Sequence, residues 1–158
     1  MTTAGSDEKL NLCRQLGADL AIHYKAEDVD ARIKQFAPEG VDVWWETLRE
    51  PDFERAVGHL AQRGRMVVMA GREARPAFPV GPFYVKCCSL HGFVMFLATA
   101  QEQRAAAEDI NRWLADGKLH PNIDRVLPLR DTAAAHQLQE DNTIRHAGTL
   151  AGKIVMRP

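Results

Sequence analysis

Short β-branched or apolar runs alternate along the whole chain with segments of helical periodicity, and only brief turns separate them. That alternation restricts a chain to parallel strands joined by helical crossovers. Ser6-Asp7-Glu8-Lys9 opens the first helix, with Ser6 or Asp7 as N-cap and acidic groups favoured by the helix dipole. Leu10, Cys13 and Leu16 mark one face, and Gly17 stops the helix. Residues 21–24 follow as a strand, 28–36 as a second helix ended by Pro38-Glu39-Gly40, and 41–45 as a strand by composition.

Pro51 suits the first turn of a third helix lined by Phe53, Val57 and Leu60. Residues 65–70 are apolar enough for a strand buried on both faces. A loop carrying Pro76, Pro79, Gly81 and Pro82 precedes a strand at 89–96. Thr99 and Glu102 form a capping box for a helix running to about Ala115, buried through Ile110, Trp113 and Leu114. Residues 123–127 are extended, Asp131 caps a helix at 132–140, and 152–156 close as a strand. The predicted class is therefore α/β, a mostly parallel doubly wound sheet with helices on both faces. Ligands in such sheets bind beyond the carboxyl ends of the strands. The loops at 4–9, 23–25, 46–52, 70–75 and 92–96 are the ones to watch.

Composition removes several alternatives. With 20 Lys and Arg against 21 Asp and Glu, the chain has no basic field for nucleic acid. No apolar run approaches the roughly 20 residues of a membrane helix. Residues 1–7 carry neither the basic patch nor the apolar stretch of a secretory signal, which leads to the expectation of a cytoplasmic protein. Three cysteines, Cys13, Cys87 and Cys88, make no disulfide framework or zinc spacing and read as buried or half-buried thiols. No histidine joins a Ser or Cys and an acid in a hydrolytic motif, and no metal site is expected. Trp44 and Trp45 read as core and sheet-edge packing, with one ring able to border a cofactor cleft.

The turns occur in a telling order. Thr3-Ala4-Gly5-Ser6-Asp7-Glu8-Lys9, Gln15-Leu16-Gly17-Ala18-Asp19 and His23-Tyr24-Lys25 are followed by Gly40-Val41-Asp42-Val43 and Gly64-Arg65-Met66-Val67-Val68, then by Gly148-Thr149-Leu150-Ala151-Gly152-Lys153-Ile154-Val155. Together they resemble the nucleotide-binding half of medium-chain dehydrogenases/reductases, closest to the zinc-independent NADPH:quinone oxidoreductases of the zeta-crystallin-like branch. The resemblance implies a Rossmann-like domain over residues 1–158, cytoplasmic, binding NADPH and passing hydride to a quinone or enone.

It also implies what to look for elsewhere. No Gly-x-Gly-x-x-Gly/Ala turn occurs in the sequence. The expectation is a partial domain that lacks the first strand, its pyrophosphate turn and the family's N-terminal GroES-like substrate domain. Position by position, the resemblance places Gly5, Ser6, Lys9 and Tyr24 at the adenosine ribose and its 2′-phosphate. It places Ala70, Gly71 and Arg72 at the nicotinamide ribose, and Phe93, Val94 and Met95 at the nicotinamide amide. No catalytic residue is assigned, because the chemistry belongs to the cofactor. Partners implied are a homodimer or a chain supplying the missing strand. The alternative is an inactive remnant that serves as an interaction or dimerisation module.

Overall fold

A computed structural model describes residues 1–158, which divide into two compact units, Met1–Ala98 and Thr99–Pro158. In the first unit the order is β1 (Thr2–Ala4), α1 (Asp7–Gln15), β2 (Ala21–His23), α2 (Val29–Phe36) and β3 (Val41–Glu46). It continues with α3 (Phe53–His59), β4 (Leu60–Val68), α4 (Val80–Val85) and β5 (Ser89–Gly92), then one 3-10 turn at Met95–Leu97. The second unit holds α5 (Ala100–Ala115), β6 (Ile123–Pro128), a 3-10 turn at Leu129–Asp131, α6 (Thr132–Thr143) and β7 (Lys153–Arg157).

Every strand pair is parallel, as the alternation requires. The strands do not form one continuous ladder, however. They fall into three sheets, β1–β2, β3–β4–β5 and β6–β7. Each sheet of the first unit has its own core. Ala4, Leu10 and Ala21, with Cys13 against them, make one; Ala56, Val57, Leu60 and Met66 make the other. Trp44, Phe53 and Phe83 pack around the second, and Phe78 stands edge-on between Phe53 and Phe83 at 5.6 and 5.0 Å. Val43 and Trp45, on the face of β3 away from this core, stay 52% and 67% exposed, so helices cover one face of that strand within the unit.

Helix starts obey local chemistry. Ser6 Oγ accepts from the Lys9 amide, Asp28 Oδ1 from Ala31 and Asp52 Oδ1 from Arg55. Asp52 therefore takes the cap of α3, and Pro51 lies just outside the helix instead of in its first turn. Thr99 and Glu102 close the expected capping box, and the Thr99 hydrogen bonds hold the Glu102 carboxyl below its ordinary range. Asp131 precedes α6 but makes no side-chain cap bond.

Four further expectations are corrected. The strand at 89–96 ends at Gly92, because residues 95–97 wind into the 3-10 turn. The Pro-rich loop contains α4, with Pro82 in its first turn, where a missing amide costs nothing. Ile110, Trp113 and Leu114 are 43%, 42% and 44% exposed, so the apolar face of this helix is not buried. Cys87 is exposed and left-handed at φ +53, in the turn after α4, while Cys13 and Cys88 are half-buried as expected.

The step from α3 directly into β4 leaves helix-terminal carbonyls to satisfy. The Lys86 ammonium does this, donating to Val57, Gly58 and Leu60 oxygens at 2.9, 3.0 and 2.8 Å. Its positive charge also complements the negative end of α3. Replacing Lys86 with Met should cost about 2 kcal/mol, read as a lower denaturant midpoint. An unchanged midpoint would contradict this role.

Candidate functional site

The carboxyl ends of β1 and β2 lie side by side, with Ala4 paired to His23. Past that row the Tyr24 amide donates to the Ala4 carbonyl at 3.2 Å, which brings Tyr24 over Gly5. A Cβ on Gly5 would stand 2.5 Å from Tyr24 Oη, so glycine is what admits the phenol there. Ser6 caps α1 through the Lys9 amide and thus sets Lys9 in the first turn beside the same end. Lys25 Nζ lies 6.0 Å from the Tyr24 ring centroid. Gly5, Ser6, Lys9 and Tyr24 are therefore brought together, and Asp7 and Glu8 are on the helix turn next to them.

A second group gathers past β4 and β5. Ala70, Gly71 and Arg72 follow β4, and Phe93, Val94 and Met95 follow β5, with Val68 paired to Gly92 between them. The Phe93 amide extends the ladder by one bond to the Val68 carbonyl. Phe93, Val94 and Met95 are all about half-exposed or more, so they are not the buried strand interior that their composition suggests. Gly71 has φ +78, and a Cβ there would meet Pro51 Cγ at 2.8 Å and the Arg49 carbonyl at 3.1 Å. Its lack of a side chain serves the crossing of two protein loops. Arg72 projects into solvent with only a 3.8 Å pairing to Glu73.

Glu46 escaped sequence reasoning. It ends β3 almost fully buried, accepting from Trp44 Nε1 at 3.2 Å and from the Leu48 amide at 2.9 Å, and so holds the start of the 46–52 loop. An acid after two tryptophans carries no local signal for that. Trp45 turns outward, its Nε1 against Met69 Sδ at 2.9 Å. Ser89 Oγ and His91 Nε2 are 3.1 Å apart on exposed β5, without a carboxylate to complete a triad. No group of three or more His, Cys, Asp or Glu side chains is arranged to hold a metal ion.

The family model described as zinc-binding dehydrogenase matches residues 16–156. This chain belongs to the medium-chain dehydrogenase/reductase family. It is similar to a probable quinone oxidoreductase of Leishmania amazonensis, 32% identical over 105 residues, covering 59% of this chain and 31% of that protein. The quinone oxidoreductase of Lama guanicoe is 28% identical over 155 residues, 98% of this chain and 45% of its own length. Among solved structures, the quinone oxidoreductase of Thermus thermophilus, determined also with NADPH, superposes with a TM-score of 0.72 at 27% identity, over 88% of this chain and 44% of that one. The chain spans less than half the length of these relatives.

In this member of the family the helices beside the two groups are tied by one carboxylate. Asp30 Oδ1, on α2, accepts from Arg55 Nε at 2.7 Å and from His59 Nε2 at 2.6 Å, both on α3. His59 is buried and stacked on Trp44, ring centroids 6.2 Å apart and planes 5° from parallel. Desolvation pushes the Asp30 carboxyl up, but the bonds from His59 and Arg55 outweigh it and hold the group below its ordinary value of 3.8.

Two outcomes follow from this geometry. Gly5→Ala should change stability by under about 1 kcal/mol, because the exposed phenol can swing away; the Tyr24 ring resonances should shift, and an unmoved ring would contradict the contact. Asp30, with its folded pKa lowered, contributes stability in full above the ordinary value of 3.8 and loses it as pH falls through the folded value. Asp30→Asn should thus lower stability near neutrality by under about 1 kcal/mol, since the carboxylate is half-exposed. The gap should close in acid below that range. A gap that persists unchanged in acid would contradict the ionised tie.

Proposed function

We propose that this chain is the nucleotide-binding part of an NADPH-dependent reductase that delivers hydride to a small quinone or enone. One observation carries the reading: Gly5, Ser6, Lys9 and Tyr24 converge where β1 and β2 end, and the strand tip is Ala4. A carboxylate at that tip would accept from a ribose hydroxyl and repel a 2′-phosphate. Ala4 does neither. The Lys9 ammonium and the Tyr24 hydroxyl would instead meet the phosphate by charge and by hydrogen bond. The quinone oxidoreductase names among the relatives support the same substrate class.

At the other end, the backbone of Ala70, Gly71 and Arg72 would line the nicotinamide ribose, and that of Phe93, Val94 and Met95 the nicotinamide amide. When bound, the nicotinamide supplies the hydride. This chain's residues fix its distance and the face it presents, and none is assigned as an acid or base. The acceptor would enter against a GroES-like substrate domain, without zinc, in a cytoplasmic enzyme.

Two features of the fold bear on partners. β5 pairs only with β4 and is followed by exposed Phe93, Val94, Met95, Phe96 and Leu97, which suits a homodimer formed along that edge. β1 and β3 each pair on one edge only, and a further parallel strand from this polypeptide or a partner would complete them. Those open edges, with Val43 and Trp45 exposed, also favour a second reading, an interaction module without turnover of its own.

Titration of the 158-residue chain with NADPH and NADH, followed by nicotinamide fluorescence, separates the two readings. Saturable binding that prefers NADPH is expected, at an affinity weaker than micromolar because the sequence holds no glycine-rich pyrophosphate turn. Lys9→Ala should cut NADPH affinity about tenfold and leave NADH nearly unchanged. Equal losses for both nucleotides would contradict the reading; sub-micromolar binding would contradict the weakness ascribed to the missing glycine-rich turn, and absence of binding by a folded chain would favour the interaction module.

A further inference from the structure

The residues proposed for the two ends of a dinucleotide stand on different sheets. Gly5, Ser6, Lys9 and Tyr24 belong with β1–β2; Ala70, Gly71 and Arg72 follow β4 in β3–β4–β5. No ladder joins those sheets, and their hydrophobic cores share no residue. The chain crosses from α2 to β3 through Gly40, left-handed at φ +94 and pressed so closely on the backbone of Leu60 and Ala61 that no side chain would fit. Beyond that turn, the side-chain hydrogen bonds from α2 to the β3–β5 layer end on Asp30.

Arg55 and His59 are four residues apart and project from the same side of α3. A single carboxylate oxygen gripped at two points along α3 resists sliding of α2 along it. His59 is itself anchored, because its ring is buried against Trp44 of β3. The grip opens onto a cleft of about 490 Å³ lined by Asp30, Lys34, Asp52, Arg55, Gly58 and His59. Water reaches it, so the tie is modest and one substitution can release it.

We infer that Asp30 is a positioning residue: held by Arg55 and His59, it fixes the span between the adenosine-side and nicotinamide-side groups that a dinucleotide has to bridge. The inference rests on the nucleotide reading above. A ligand that occupies both groups gains from their fixed spacing through effective concentration, whereas a ligand that occupies one does not.

The test compares wild type with Asp30→Ala and the isosteric Asp30→Asn, the latter serving if the alanine variant fails to fold by circular dichroism. NADPH probes both groups, and adenosine 2′,5′-bisphosphate probes only the β1–β2 group. Release of Asp30 should weaken NADPH by about three- to fivefold, the most a tie of under about 1 kcal/mol can give, and leave the bisphosphate within about 1.5-fold. Amide hydrogen exchange should quicken in Ala21–His23 and Val29–Phe36 while residues 60–68 keep their protection. Equal weakening of both probes, weakening of neither, or unaltered exchange would overturn the inference. A wild-type chain that binds neither probe would overturn the nucleotide reading and with it the positioning role, and exchange would then report on the tie alone.

Discussion

The backbone of β4 is hydrogen-bonded along both edges, to β3 through Trp44–Met66 and Trp45–Val67 and to β5 through Met66–Leu90 and Val67–His91. Parallel strands cannot be joined by a tight hairpin, so each pairing here demands a crossover that packs back on the sheet. α3 supplies it, setting Ala56 and Val57 against Met66, and Lys86 seals the helix end where the chain turns into β4. The turns at 46–52, 70–72 and 93–95 take their places from this three-stranded block. Glu46 holds the start of the first of those turns through the Leu48 amide, and Gly71 lets the second pass close against Pro51.

The β1–β2 layer depends on the same block at one remove. Its strands are three residues each, and three-residue pairs contribute little on their own. α1 gives it apolar contacts through Leu10 and Cys13, and Asp30 of α2 links it to α3. The arrangement puts the group at Gly5, Ser6, Lys9 and Tyr24 on a pair of three-residue strands and the group at residues 70–72 and 93–95 on the three-stranded block. If one dinucleotide bridges both groups, as proposed above, their relative placement is the quantity that the fold has to hold.

Much of this was readable from local sequence because local chemistry decides it. Ser6, Asp28 and Thr99 cap the helices they precede, and the β-branched and aromatic run at 41–46 is a strand. Misses arise where the decision is made at a distance. Residues 93–96 have strand composition, but the ladder runs out at Gly92 and the 3-10 turn takes over. The pattern of Ile110, Trp113 and Leu114 identifies an apolar face; it does not say what covers it. In the candidate site, resemblance located Gly5 and Tyr24, and their contact supports the grouping. Asp30 and its partners are 25 and 29 residues apart in sequence, and no spacing rule connects them.

The central claim is that one nicotinamide dinucleotide spans two groups of residues carried by separate sheets. Chemical-shift mapping of backbone and Tyr24 ring resonances during addition of NADPH tests it directly. The account predicts perturbations at Gly5, Ser6, Lys9 and Tyr24 together with Gly71, Arg72 and Val94, following a single saturation curve. Perturbations confined to one group, or two curves of different affinity, would contradict it.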